Sequence, residues 1–223
     1  RLLQILKRPF LISLQKTIMS QFKTIIFDLG GVLIDWNPEY VFLKEFRGNR
    51  EKMDWFLNEI CAWEWNMNQD AGYPLAQATE DRVAMFPEYE ELIRMYYGRW
   101  EEMLGYTHED TLEILESVVQ NPNYKVYALT NWSGETFPVA LQKFPWLQWF
   151  EGILVSGDEG MRKPHKEIYE LMLHRYNINP QETIFIDDSL KNVEGSEAVG
   201  IKGIHFVNAS SLKKELIALG VAL

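Results

Sequence analysis

Hydrophobic and polar positions follow two different rhythms along this chain. The segment KTIIFDLG, residues 23–30, is a run of apolar or β-branched residues that ends in a polar residue and glycines, the pattern of a buried strand. Residues 38–119 switch to a helical rhythm rich in Glu, Met, Leu and aromatics. Breaks fall near Gly48–Asn49, Gly72–Tyr73–Pro74, Pro87 and Gly105. Pro38 stands where it opens the first helix, and Pro87 separates two others. After Pro122 short apolar runs alternate with helical patterns. KVYALTN, GILVSG, TIFIDDS and KGIHFV predict strands. Residues 133–143 (with Pro138 inside), 164–176, 190–199 and 210–219 predict helices, the last with Ser210 as its N-cap. No repeat or low-complexity segment interrupts the pattern.

Strands alternating with helices predict an α/β fold with a parallel sheet and right-handed crossovers. Ligands in such sheets bind off the carboxyl ends of the strands. Asp28, the pair Thr130–Asn131 and the pair Asp187–Asp188 each end a predicted strand, and Lys163 lies in the loop after another. These residues therefore converge, although they are spread over much of the chain.

Composition narrows the picture. The 223 residues suit one substantial domain, or a domain with a smaller insert. A formal net charge of −10 and no basic tract argue against nucleic-acid binding. The single cysteine, Cys61, excludes an intrachain disulfide and fits a reducing, cytoplasmic setting. Its neighbours Trp63 and Trp65 make it a packed thiol rather than a nucleophile. Trp is abundant, with eight residues, several of them within residues 36–100. The opening RLLQILKRPFLISLQKTIMSQ is basic, broken by Pro9 and too poor in apolar residues to span a membrane. Three readings of it stand: sequence ahead of a start at Met19, a surface helix, or a targeting or membrane-surface segment.

A lone Asp after a strand is most often a helix cap or a turn residue, so the convergent set carries the chemistry. Asp28 and Asp188 can share a hard divalent cation. Mg²⁺ favours one or two carboxylates with waters and substrate phosphate. Lys163 adds a compact positive charge, and Thr130 and the amides after it can donate to phosphate oxygens. Asp28 is then free to attack phosphorus and form an aspartyl-phosphate.

With these residues in view, the chain resembles the haloacid dehalogenase superfamily of hydrolases over about residues 22–220. FDLGGVLID resembles the family's first motif, with Asp28 as nucleophile. YALTN resembles the second, with Thr130 in the hydroxyl position beside Asn131; RKPHKEIY the third, with Lys163; FIDDSLKNVEGSEAVGIKGI the fourth, with Asp187 and Asp188. The resemblance implies a Rossmann-like three-layer core (residues 20–37 and 108–223), a helical cap of the C1 type (38–107) and an extra segment (1–19). It also implies Mg²⁺ held by Asp28, the Gly30 carbonyl, Asp187 and Asp188. The substrate implied is a small phosphorylated metabolite, acted on by a monomer or small homo-oligomer. The FDLGGV opening is most similar to a branch that includes sugar-1-phosphate phosphatases and the phosphatase domain beside some epoxide hydrolases.

One position departs from the family. Most of its phosphatases carry a second aspartate, two residues after the nucleophile, that protonates the leaving alcohol and then activates water. Gly30 can do neither. An easy leaving group such as an anomeric phosphate, or a stand-in among Asp35, Asp70 and His165, would account for it. So would dehalogenation of a 2-haloacid by Asp28, or a non-catalytic binding role. Asp35 and Asn37 precede Pro38 and read first as turn residues. Within WEWNMNQDAG, Trp65 and Asp70 are candidates to face substrate. Asn192, one turn beyond Asp188, is placed to brace the acidic loop.

Overall fold

The computed structural model describes residues 20–223; the readings of residues 1–19 lie outside the described residues. Five parallel strands form the central sheet: β1 (Thr24–Phe27), β4 (Lys125–Thr130), β5 (Gly152–Val155), β6 (Thr183–Asp187) and β7 (Lys202–His205), in the order β5-β4-β1-β6-β7. Side chains alternate between the two faces, as the two-residue repeat of a strand requires. Ile25, Phe27, Val126, Ala128, Ile184 and Ile186 join one apolar cluster, and Ile26, Tyr127, Leu129 and Phe185 join the other. The first face is covered by α6 (Glu109–Val119) and α11 (Ala209–Ala218), the second largely by α9 (Lys166–Arg175). Both faces are buried, which is why these strands read as continuous apolar runs.

Between β1 and β4 the chain leaves the sheet. A short antiparallel pair, β2 (Ile34–Trp36) and β3 (Leu104–Thr107), frames an all-helical segment: α1 (Glu39–Glu45), α2 (Arg50–Trp55), α3 (Trp63–Gln69), α4 (Leu75–Met85) and α5 (Glu90–Gly98). Its interior is aromatic. Phe42 and Phe56 are fully buried with ring centroids 5.1 Å apart, and truncating either to Ala costs about 3–5 kcal/mol. Cys61 is buried here, and burial pushes its thiol up to about 12, as a packed rather than reactive cysteine requires. The same apolar cluster runs from these helices into the first face of the sheet. A second tie joins the two parts: the Asp70 carbonyl accepts from Ser156 Oγ, and Leu75 N donates to Glu135 Oε1 at 2.9 Å.

Three details differ from the sequence reading. Residues 104–107 form a strand where the pattern gave only a helix break at Gly105; the segment is too short, with Leu104 alone buried, to show alternation. The last helix is capped by Asn208, whose side chain accepts from Ser211 N, and Ser210 lies inside it. The helix expected over 133–143 is α7 (Phe137–Lys143), with Pro138 in its first turn where the missing N–H is harmless. Among the described residues, no helix is long and apolar enough to cross a membrane.

Candidate active site

Sheet register assembles the site. Phe27 pairs with Ile186 on one side and with Ala128 on the other. One residue further on, Asp28 is level with Asp187 and with Leu129. Lys163, in the loop between β5 and α9, bridges all three. Its Nζ lies 2.9 Å from Asp28 Oδ1, 2.7 Å from Asp187 Oδ2 and 2.9 Å from the Leu129 carbonyl. Lys163 is 1% exposed, so an unpaired charge there would be costly. Burial works against its charge, but Asp187 and Asp28 more than offset this and hold its pKa above the ordinary value.

The carboxylates pull the other way. Burial, opposed by Lys163 and reinforced by Asp187 and Asp188, pushes Asp28 up to about 8. Asp188 is raised too, by burial first and then by Asp187. One oxygen from each of Asp28, Asp187 and Asp188 lies within 4.8 Å of the others. Crowded carboxylates of this kind, with one lysine among them, are the donor set of a hard divalent cation. Their oxygens are not equally free. Asp187 accepts from Ser189 N (2.8 Å), from Asn192 Nδ2 at both oxygens (2.9 and 3.1 Å) and from Lys163. Asp28 Oδ1 accepts from Leu29 N at 2.7 Å and from Lys163, and among the described residues Oδ2 has no hydrogen-bond donor. Asp28 and Asp188 therefore offer open oxygens, while Asp187 is a brace. Asn192, itself tied by the Tyr169 hydroxyl donating to its carbonyl (2.7 Å), completes that brace.

The remaining residues fall into two groups. Thr130 ends β4, lines the cavity above Asp28 and makes no side-chain hydrogen bond among the described residues. Asn131 clamps the lysine loop from both sides: Oδ1 accepts from Lys163 N (2.9 Å) and Nδ2 donates to the Lys163 carbonyl (3.0 Å). Gly30 lines the cavity, and a Cβ there would meet nothing within 4 Å. Gly31, which the sequence reading did not single out, has φ +73°, and a Cβ on it would overlap the Asp188 carboxylate. Its place beside Gly30 was the available signal.

The cavity holds about 980 Å³ between the sheet edge and the helical segment. Asp70 lines it, 8% exposed, with Asn66 Nδ2 donating to Oδ2 at 3.1 Å. Burial raises its pKa to about 7 against the lowering effects of Arg162, the Ser133 amide and Lys163. His165 also lines the cavity. Two candidates do not. Asp35 accepts from the Tyr40 hydroxyl at 2.6 Å, a local structural bond outside the cavity lining. Trp65 packs inside the helical segment, 5.2 Å from Tyr96 and 5.3 Å from Tyr97. The helical repeat explains it: Trp63, Asn66, Met67 and Asp70 are the i, i+3, i+4 and i+7 positions that face the cavity, and Trp65 points away.

Comparisons with known proteins agree with this geometry. The chain is 29% identical, over 88% of its length and 96% of the other's, to a sesquiterpene phosphatase of Aspergillus oryzae. It is 26% identical, over 83% of its length and 85% of the other's, to a phosphorylated carbohydrates phosphatase of Thermotoga maritima. A haloacid dehalogenase family enzyme of Bacteroides thetaiotaomicron, solved with magnesium and inorganic phosphate, superposes with a TM-score of 0.63 at 24% identity, covering 86% of this chain and 98% of that one; this likeness shows a shared fold. Residues 25–206 match the family described as haloacid dehalogenase-like hydrolase, and the chain, a hydrolase with an α/β fold and its acidic cluster at the strand ends, belongs to that family.

Proposed function

We propose that this chain is a Mg²⁺-dependent phosphoric monoester hydrolase that works through an aspartyl-phosphate on Asp28. The observation that carries the reading is the placement of Asp28 beside Lys163 and the Asp187–Asp188 pair, at the foot of a cavity large enough for a small molecule. Asp28, Asp188 and the Gly30 carbonyl are the groups that would hold the cation, with Asp187 orienting Lys163. Bound there, Mg²⁺ supplies positive charge that offsets the repulsion between an anionic nucleophile and an anionic phosphate.

The protein's own residues do the rest. Lys163 favours the ionised form of Asp28 and balances phosphate charge. Asn131 fixes the lysine loop, and the Thr130 hydroxyl is available to a phosphate oxygen. The Asp28 carboxylate attacks phosphorus, the bond from phosphorus to the ester oxygen breaks, and the leaving oxygen takes a proton. Water then attacks the aspartyl-phosphate and frees Asp28. The sum is ester plus water giving alcohol plus inorganic phosphate. Gly30 delivers no proton to the leaving oxygen. Of the three stand-ins considered, Asp70 and His165 line the cavity and Asp35 does not.

The relatives' names cover a sesquiterpene and phosphorylated carbohydrates, so the leaving group is set by the cavity walls rather than by the shared floor. Dehalogenation needs no carboxylate cluster, and a pure binder needs no nucleophile; Asp28 with Asp188 favours the phosphatase over both. The test is phosphate release from a panel of small phosphate esters with Mg²⁺, with a chelator and with Asp28→Asn. Release that requires both the metal and Asp28 is expected. Turnover that persists in Asp28→Asn would sink the reading.

A further inference from the structure

The walls of the cavity differ in kind from its floor. Four tryptophans line them, each from a different part of the chain: Trp36 ends β2, Trp63 begins α3, Trp100 precedes β3 and Trp132 follows β4. Trp63 and Leu190, also in the lining, are 57% and 53% exposed. Large apolar side chains held open to solvent at a cavity mark a place where something apolar binds. Among the described residues, the Nε1 atoms of Trp36 and Trp132 are buried without a partner, so the accessible parts of those rings are carbon.

Three of the polar groups that face this space from the helical segment are engaged with one another. The Tyr97 hydroxyl donates to Asn66 Oδ1 at 3.0 Å, and Asn66 Nδ2 donates to Asp70. Among the described residues of the helical segment that line the cavity, the charged ones are Glu64 and Asp70, both acidic. A sugar placed against these walls would exchange water for aromatic carbon at its hydroxyls, and a second anionic group on the helical side would meet carboxylates; the basic residues Arg162, His165 and Lys191 line the cavity from the core side. The ring planes also matter. Trp36 and Trp63 are inclined at 59°, Trp100 and Trp132 at 64°. Neither pair forms parallel slabs for a flat heterocycle; inclined rings form the wall of a rounded apolar chamber. The volume of about 980 Å³ lies near the upper end of the roughly 300–1,000 Å³ usual for small-molecule pockets.

We propose that the group released here is a bulky hydrocarbon alcohol: the substrate is its phosphate monoester, with the chain seated against Trp36, Trp63, Trp100 and Trp132. This rests on the phosphatase reading of Asp28, and it differs from the sugar phosphate that the FDLGGV opening suggests.

The test compares kcat/KM with Mg²⁺ for farnesyl phosphate and octyl phosphate against glucose 6-phosphate and ribose 5-phosphate. Acetyl phosphate, with almost no leaving group to bind, reports the floor chemistry alone. The apolar esters are expected to exceed the sugar phosphates by about 100-fold or more. Trp63→Ala, at a half-exposed position that does not hold the fold, is expected to lower the ratio of farnesyl phosphate to acetyl phosphate about tenfold. Sugar phosphates turned over as well as the apolar esters, or an unmoved ratio in Trp63→Ala, would overturn the inference. Acetyl phosphate turnover alongside either result would leave the phosphatase reading standing. A second measurement is independent of turnover: calorimetry of Asp28→Asn with Mg²⁺ and either farnesyl phosphate or glucose 6-phosphate. Tighter binding of farnesyl phosphate supports the apolar ligand class even if no ester is hydrolysed; equal or weaker binding overturns it.

Discussion

Gly30 and Gly31 are neighbours with opposite tolerances. Gly30 has open space where a Cβ would go and no left-handed φ, so Gly30→Asp should fold as the parent does. It places a carboxyl group two residues after Asp28, the proposed nucleophile. A positioned acid–base group is worth about 10² to 10⁴ in rate. Turnover of an alkyl phosphate, whose leaving oxygen needs a proton, should therefore rise by about tenfold or more, while acetyl phosphate turnover changes far less. A uniform loss on both substrates would contradict the view that Gly30 is an omitted acid. Gly31 has φ +73° and faces the Asp188 carboxylate. Gly31→Ala forces a side chain into a backbone region that costs about 1–3 kcal/mol and displaces Asp188, the proposed cation ligand. A Mg²⁺ titration should show affinity at least tenfold weaker, with a lowered melting temperature; unchanged Mg²⁺ affinity would count against Asp188 as a ligand.

At the scale of elements, α3 carries the most consequence. It presents Trp63, Asn66 and Met67 to the cavity, and Asp70 caps its end. Asp70 is raised from the ordinary 3.8 to about 7 by burial. A carboxyl whose folded pKa exceeds its unfolded value binds protons more tightly when folded. Its stabilising contribution is complete below about pH 4 and is lost as pH rises through about 7. Asp70→Asn keeps the shape and removes the titration. Its stability relative to the parent should climb by on the order of 1 kcal/mol per pH unit across that window and then level off. Denaturant unfolding of both proteins at several pH values checks this, and a constant difference would refute the buried-acid account. The same helix shows where sequence reading stops. All five core strands were legible; the inner three, β4, β1 and β6, are buried on both faces and read as uninterrupted apolar runs. The β2–β3 pair was not, being short and half exposed. Trp63 and Trp65 are equally aromatic in sequence. Only the phase of the helix, fixed by its packing on Tyr96 and Tyr97, decides which one faces the cavity.

Across the whole molecule, the convergence of the strand-end residues on the cavity floor was legible and the walls were not. Strand-end residues from Asp28 to Asp188 converge because register in a parallel sheet brings the carboxyl ends of adjacent strands together, and a strand-end rule can see that in advance. The four wall tryptophans obey no such rule. They come from a strand, a helix, a turn and a loop, and their convergence depends on how the helical segment seats on the sheet edge. The chain carries a net charge of −10, yet its proposed phosphate site is built around one fully buried lysine. Such a site makes sense when a cation joins it and a covalent bond to Asp28 forms. The most direct measurement is therefore rapid quenching during turnover of acetyl phosphate with Mg²⁺, followed by peptide mass spectrometry. The account predicts one added phosphoryl group on the peptide containing Asp28, absent with chelator and absent in Asp28→Asn. Steady turnover with no phosphoryl group on Asp28 at any quench time, or with the group on another residue, would contradict it.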